Sequence, residues 1–315
     1  MTSFAVHTLT LNPSIDLSSD TDTVRRTHKV RTTNERMDPG GGGINVARVL
    51  HRFGVAVEAT YLAGGATGRV LDDLLDTQGL ARKAVWIADD TRMSHTVHEC
   101  SSGCEYRFTP EGPRVAPEEL EAVVNALEIG PCELFVASGS LPRGMPEQIY
   151  ATLLDQVKAR GGRFILDTSG PALRRALGRG GIELVKPSRG ELEQLAGRKL
   201  GDRAGLADEA RKLVDAGAAK HVAVTLGRDG ALLVGREGAR FLPSVPVKSQ
   251  SAVGAGDAFV AGFTYGLVTG TGMMEAFRIA TACGAATALT PGTDLCHPED
   301  VRRLLEQVPQ PQPLA

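Results

Sequence analysis

Ser251-Ala252-Val253-Gly254-Ala255-Gly256-Asp257-Ala258-Phe259 is the most telling stretch of this 315-residue chain. It joins a glycine turn to a run of small and apolar residues that continues to Val268. The run predicts a buried helix with the turn at its start. Small residues there leave backbone N–H groups uncovered beside the positive end of the helix dipole, which makes an anion site. Asp257 falls in the first turn of that helix. An anion hole of Gly254, Ala255 and Gly256 beside a carboxylate suits phosphoryl transfer. The amides take up charge on the phosphoryl group while Asp257 accepts a proton from the attacking hydroxyl. The competing reading is a glycine turn with Asp257 as a simple helix-start charge.

A second glycine stretch lies upstream, Pro39-Gly40-Gly41-Gly42-Gly43-Ile44-Asn45-Val46-Ala47-Arg48. Four glycines entering a helix offer bare backbone to a polyhydroxyl or phosphate ligand, at an entropic cost. Asn45 can donate and accept toward sugar hydroxyls. The alternative is a flexible loop with a cap.

Around these motifs, strand-like and helix-like segments alternate. Residues 6–11, 55–62, 134–137, 164–167, 182–186 and 222–226 read as strands, and 44–53, 68–78, 117–127 and 146–160 as helices. This rhythm predicts an α/β fold with a mainly parallel central sheet and helices on both faces. Two segments break it. Residues 17–37 are polar and rich in Thr, and 93–108 alternate about a Ser101-Ser102-Gly103 turn. They predict strands, from about 17–37 and 92–109, of a small β-sheet lid inserted in a single domain spanning residues 1–315. The Pro-Gln tail, residues 309–315, is expected to fray.

Other chemistries lack their motifs. There is no GxxxxGK(S/T) phosphate loop, no complete GxGxxG, no HExxH and no zinc-type Cys/His cluster. His95 and His98, three apart on a predicted strand, point to opposite faces and make a poor metal pair. A net charge of −2 gives no global pull on nucleic acid or anionic membrane. No apolar run approaches the ~18 residues of a membrane span. The first residues lack a signal-peptide pattern. Five cysteines without a CxxC suit a reducing, cytoplasmic setting.

Further motifs follow in order: Thr10-Leu11-Asn12-Pro13-Ser14-Ile15-Asp16, Ala63-Gly64-Gly65-Ala66-Thr67-Gly68, Glu105-Tyr106-Arg107-Phe108, Ser138-Gly139-Ser140-Leu141-Pro142, Asp167-Thr168-Ser169-Gly170, Ile182-Glu183-Leu184-Val185-Lys186-Pro187, Thr225-Leu226-Gly227 and Val247-Lys248-Ser249-Gln250. With the two glycine motifs they resemble the PfkB (ribokinase-like) sugar kinases, most of all the minor-type ATP-dependent 6-phosphofructokinases, over about residues 4–307. The resemblance implies a ribokinase-like three-layer domain. It makes Asp257 the catalytic base and Gly254, Ala255 and Gly256 the anion hole. Asp16, Gly41, Asn45 and Ser140 match sugar-contacting positions. Lys29, Arg31 and Arg92 match phosphate-holding positions, Lys29 reaching in from the neighbouring subunit of a homodimer joined through its lids. Thr225, Gly227 and Gly230 fall in the nucleotide region. Lys186, Ser188 and Glu191 fall near the phosphates and magnesium, Glu191 on the metal side. The implied cofactors are Mg2+ with ATP, and K+ beside the loop at 290–295. The implied partners are ATP and a small sugar phosphate, with no nucleic acid and no membrane.

Two positions depart from the family pattern. Ser188 stands where Asn is usual in Asn-x-x-Glu, and Ala252 replaces a Thr before the glycine turn. Sister enzymes acting on fructose 1-phosphate or tagatose 6-phosphate typically carry Gly-Lys-Gly where this chain has Gly41-Gly42-Gly43. By resemblance this favours fructose 6-phosphate, with those two substrates as the alternative. A non-catalytic sugar-phosphate sensor would not need Asp257 and its anion hole. A nicotinamide oxidoreductase would need GxGxxG after the first strand, where Leu11-Asn12-Pro13 stands.

Overall fold

A computed structural model describes residues 4–127 and 132–314. The first strand, β1 (Val6–Thr10), is buried along its whole length and sits inside the larger of two sheets. In chain order the other elements are β2 (Ser14–Thr21), β3 (Thr33–Gly40), α1 (Gly42–Arg52), β4 (Val57–Gly64), α2 (Gly65–Thr77), β5 (Arg82–Ile87), β6 (Arg92–Glu99), β7 (Cys104–Phe108), α3 (Pro117–Ala126), β8 (Leu134–Ser138), α4 (Ile149–Ala159), β9 (Arg163–Asp167), α5 (Gly170–Arg179), β10 (Ile182–Val185), α6 (Arg189–Ala196), α7 (Arg203–Asp215), β11 (Ala219–Thr225), β12 (Ala231–Gly235), β13 (Gly238–Leu242), α8 (Ala255–Val268), α9 (Met273–Thr287), α10 (Pro298–Leu305) and β14 (Gln312–Leu314).

The large sheet runs β14-β13-β12-β11-β10-β9-β8-β1-β4-β5. It is parallel from β5 to β11 and antiparallel over the last three strands. One buried cluster packs α1, α8, α9 and α10 on one face, and a second packs α3, α4, α5 and α7 on the other. This is the expected three-layer α/β arrangement. Consecutive parallel strands end at Thr10, Ser138, Asp167, Val185 and Thr225. The motifs of the chain therefore collect at the carboxyl ends of the strands, where open α/β sheets bind ligands.

The second sheet has four strands in the order β3-β2-β6-β7. It starts earlier than the polar pattern suggested, at Ser14, because Asn12 and Pro13 turn the chain straight out of β1. Its two faces differ. Asp16, Ser94, Thr96 and His98 share one face through the β2–β6 register. The exposed apolar side chains Met37, Met93, Tyr106 and Phe108 alternate onto the other.

The tail does not fray as expected. Gln312–Leu314 pairs antiparallel with β13. The prolines around it are tolerated because an edge strand needs ladder donors on one side only.

The helix after the glycine turn is buried, as its composition requires, and it packs closely on α9. A Cβ on Gly262 would lie 2.7 Å from the Cα of Ala280, and one on Gly266 would lie 2.6 Å from that of Ala276. Phe259, Phe263 and Phe277 fill the space alongside, with the Phe263 and Phe277 rings stacked at 5.7 Å. Overpacking such a contact costs about 1–3 kcal/mol or more. Gly262→Val should therefore lower the unfolding midpoint in urea without changing m, whereas the exposed Gly270→Asn should leave it unmoved. An unshifted midpoint for Gly262→Val would refute the close α8–α9 contact.

Candidate active site

Asp257 is the third residue of α8 and lies half-buried where that helix meets the sheet ends. The helix begins at Gly254 with φ 74°, and no side chain caps it. The positive φ is what favours glycine at Gly254, and a Cβ there would also have to displace the end of the Leu295 side chain, 2.6 Å away. The first-turn amides of α8 therefore remain available to an anion. Burial pushes the Asp257 carboxyl up to about 6, with the charge of Asp167 adding to it, while Asn45 and Lys186 act in the opposite direction.

Asn45 donates from Nδ2 to Asp257 Oδ2 at 2.8 Å. Its orientation is fixed from behind, because Arg48 Nη1 donates to Asn45 Oδ1 at 3.2 Å and to the Pro39 carbonyl at 2.9 Å. Arg48 is itself buried and faces Asp38 at 3.4 Å. Asp38 in turn accepts from Thr293 Oγ1 at 2.7 Å. An unbroken polar chain thus runs from the 290–295 loop through β3 and α1 to Asp257. Arg48 and Asp38 were not among the sequence candidates. Arg48 lies three residues after Asn45, the spacing that puts two side chains on one helix face.

The four-glycine run has a structural cause that neither sequence reading considered. A Cβ on Gly40 would collide with the Asp16 carboxylate, one on Gly42 with Ser138 Oγ, and one on Gly43 with the Leu9 carbonyl. At Gly41 the backbone itself requires glycine, with φ 112°. The run lets α1 start against the ends of β1 and β8, which is what brings Asn45 to Asp257.

Asp16 accepts from Ser14 Oγ, and burial raises its pKa against the pull of Arg92. Arg92 donates to the carbonyls of Asn12, at 2.9 Å, and Pro110, at 3.0 Å, which holds its guanidinium on the Asp16 side of the sheet. Ser140 accepts from Asn12 Nδ2 at 3.1 Å. Lys29 and Arg31 stand apart from this cluster, on the exposed connection between β2 and β3.

Lys186 is buried at the end of β10, with Nζ 3.1 Å from Asp167 Oδ1. Burial pulls its pKa down, but Asp167, helped by Glu191 and Asp257, outweighs that and keeps it raised and charged. Its ammonium lies beside the anion hole, 3.7 Å from where a Cβ on Gly256 would sit. Asp167 was quoted within a motif but given no role. The available signal was an acid at a strand's carboxyl end followed by Thr-Ser-Gly.

Ser188 and Glu191 form a capping box at the start of α6. Ser188 Oγ accepts from the Glu191 N–H at 3.3 Å, and Glu191 Oε2 accepts from the Ser188 N–H at 2.7 Å. Glu191 Oε1 takes no part in the capping box. Thr225 bridges to Ser188 at the end of β11, and Gly227 follows in an open turn at φ 61°. Gly230 is needed by its own turn, since a Cβ there would collide with the Leu242 carbonyl. Among the described residues no helix is long and apolar enough to cross a membrane.

The sequence profile of the pfkB family carbohydrate kinases matches residues 9–300. The chain is 40% identical over 306 residues to the ATP-dependent 6-phosphofructokinase isozyme 2 of Mycobacterium tuberculosis, covering 96% of this chain and 90% of that one. It is 32% identical to the 1-phosphofructokinase of Bacillus subtilis, covering 96% and 98%. The crystal structure of Escherichia coli phosphofructokinase-2 with fructose-6-phosphate superposes with a TM-score of 0.89 at 37% identity, covering 98% of this chain and 99% of that one. The same protein in complex with potassium gives 0.90 at 38% with the same coverage. A tetrameric inhibited form of it gives 0.89 at 37%, covering 96% and 99%. With the profile spanning nearly the whole sequence and the fold matching throughout, the chain belongs to the pfkB family of carbohydrate kinases.

Proposed function

We propose that the protein is an ATP-dependent 6-phosphofructokinase, transferring the terminal phosphoryl group of ATP to a hydroxyl of fructose 6-phosphate. The observation that carries this reading is Asp257, poised near neutrality beside the open start of α8. With a midpoint of about 6, the carboxyl is ionised about ten to one at pH 7 yet remains basic enough to take a hydroxyl proton. The substrate oxygen then attacks the phosphoryl group, the bond to ADP breaks, and the α8 amides with Lys186 receive the developing charge. Asp16, Gly41, Asn45 and Ser140 line the sugar side, and Arg92 supplies a cation near Asp16.

Magnesium fits the oxygen donors left at this site, Glu191 Oε1 foremost, since hard cations prefer such ligands. Bound with the nucleotide, it neutralises phosphate charge. Ser188 is shorter than the usual Asn, so it reaches a cation through water. K+ as an accompanying ion is supported by the potassium complex of the E. coli relative, and its place beside the 290–295 loop is what the family resemblance implies. Thr225 and Gly227, with the turn at Gly230, border the nucleotide.

The four-stranded sheet acts in this reading as a lid. Its outward face exposes Met37, Met93, Tyr106 and Phe108, with Phe108 at 61%. A second copy of the chain would cover that face and its strand edges in a homodimer. By the family resemblance such pairing brings Lys29, which stands away from its own site, toward the phosphate in the partner's, with Arg31 two residues along the same exposed connection.

The preference for fructose 6-phosphate over fructose 1-phosphate is supported by the higher identity to the 6-phosphofructokinase relative. ADP release should be fastest with fructose 6-phosphate and slower with fructose 1-phosphate or tagatose 6-phosphate. A reversed order would overturn the substrate assignment and leave the kinase assignment standing.

Asp257→Asn keeps the shape and removes the proton acceptor. kcat should fall about 10²- to 10⁴-fold with nucleotide affinity little changed. In the wild type, kcat/KM should decline as pH drops through about 6, because the protonated carboxyl cannot accept a proton. Near wild-type turnover in Asp257→Asn would remove it as the base.

A further inference from the structure

The inward face of the small sheet carries a cluster that the phosphoryl-transfer site does not use. Register sets Asp20 on β2 beside His98 on β6. Two residues on, Cys100 opens the β6–β7 turn, its N–H held by the Thr21 carbonyl at 2.8 Å. One carboxylate oxygen, one imidazole nitrogen and one thiol sulfur of these residues all lie within 4.8 Å of one another. We propose that Asp20, His98 and Cys100 form a binding site for a zinc-class transition-metal dication on the small sheet.

The donor set decides the class of ion. A thiolate with an imidazole and one carboxylate selects Zn2+ or its tetrahedral analogue Co2+, not Mg2+ or Ca2+, which take oxygen ligands. The carboxylate is already oriented from outside the cluster. Asn34 Nδ2 donates to Asp20 Oδ2 at 2.8 Å, which leaves Oδ1 facing His98 Nδ1 at 3.3 Å. Hydrogen-bonded support of this kind is what fixes metal ligands in place. A bound ion takes the place of the direct Asp20–His98 contact. The thiol proton leaves to solvent on coordination, with no change of oxidation state.

Three protein ligands leave a fourth position open. Asp20, His98 and Cys100 line a cavity of about 810 Å³ together with Glu105, Ser249 and Gly292. That space admits a water as the fourth ligand. The cluster is distinct from the Asp257 centre. Asp16, on the same face of β2, is four residues nearer the sheet ends, about 13 Å along the strand. The ion would clip β2 to the β6–β7 turn and stiffen the far end of this sheet.

Sequence spacing hides the site because Asp20 lies far along the chain from His98 and Cys100. The tempting pair, His95 and His98, is indeed split between faces, and His95 instead meets Ser19 Oγ at 3.0 Å. The partners of His98 come from the neighbouring strand and the following turn.

The test uses the metal-stripped full chain without nucleotide. Calorimetric titration with Zn2+ should give one ion per chain, and Co2+ should give a thiolate-to-metal charge-transfer band. Cys100→Ser and His98→Gln should each lose that band, while Cys104→Ser, at the other exposed thiol, should keep it. Oxygen-only binding at the catalytic carboxylates gives no such band, so failure here leaves the kinase reading untouched. Circular dichroism and melting in chelator, matched to wild type, confirm that each variant is folded. Absence of the band in the wild type, or its persistence in Cys100→Ser or His98→Gln, would overturn the proposal.

Discussion

The hydrogen bond from Asn45 Nδ2 to Asp257 Oδ2 is the contact on which the site depends. It joins residues far apart in sequence, one at the start of α1 and one at the start of α8. An Asn amide alone could face either way, but Arg48 donates to its oxygen and leaves only the NH2 for the aspartate. Arg48 is in turn held by Asp38 and the Pro39 carbonyl, and Asp38 by Thr293. A buried guanidinium is tolerable only when so partnered. Its network therefore couples the position of the proposed base to β3 of the small sheet and to the 290–295 loop.

Two opposing influences set the state of Asp257. Burial and the neighbouring carboxylates, Asp167 first, favour the neutral form, while Asn45 and Lys186 favour the anion. The first group wins by enough to lift the carboxyl but not enough to keep it protonated at neutral pH. Lys186 also offsets Asp167, so one ammonium moderates two acids.

Much of this was legible in the sequence. The alternation of strands and helices and the buried run after Gly256 follow from periodicity and composition, which local chemistry dictates. The polar segments broke the rhythm visibly enough to announce a second sheet. What could not be read were contacts made by packing. The four glycines suggested a ligand, and the collisions at Gly40, Gly42 and Gly43 show that close approach to β1, β8 and Asp16 already demands them. Composition of the tail argued for fraying, yet β13 offers an unpaired edge that even Pro-rich chain can join. Asp38 had no signature of its own, and the spacing of Arg48 from Asn45 and the strand-end place of Asp167 named no partner, because their roles arise only when distant segments meet. Asp20, His98 and Cys100 converge for the same reason.

Burial and the neighbouring carboxylates give Asp257 an elevated pKa, which the Asn45 hydrogen bond holds in check. Carbon-13 NMR titration of the Asp257 carboxyl, assigned by its loss in Asp257→Asn, measures that directly. The account predicts a midpoint near 6 in the wild type and a higher one in Asn45→Ala, since the Asn45 hydrogen bond favours the anion. A wild-type midpoint at the ordinary aspartate value of 3.8, unmoved by Asn45→Ala, would contradict it.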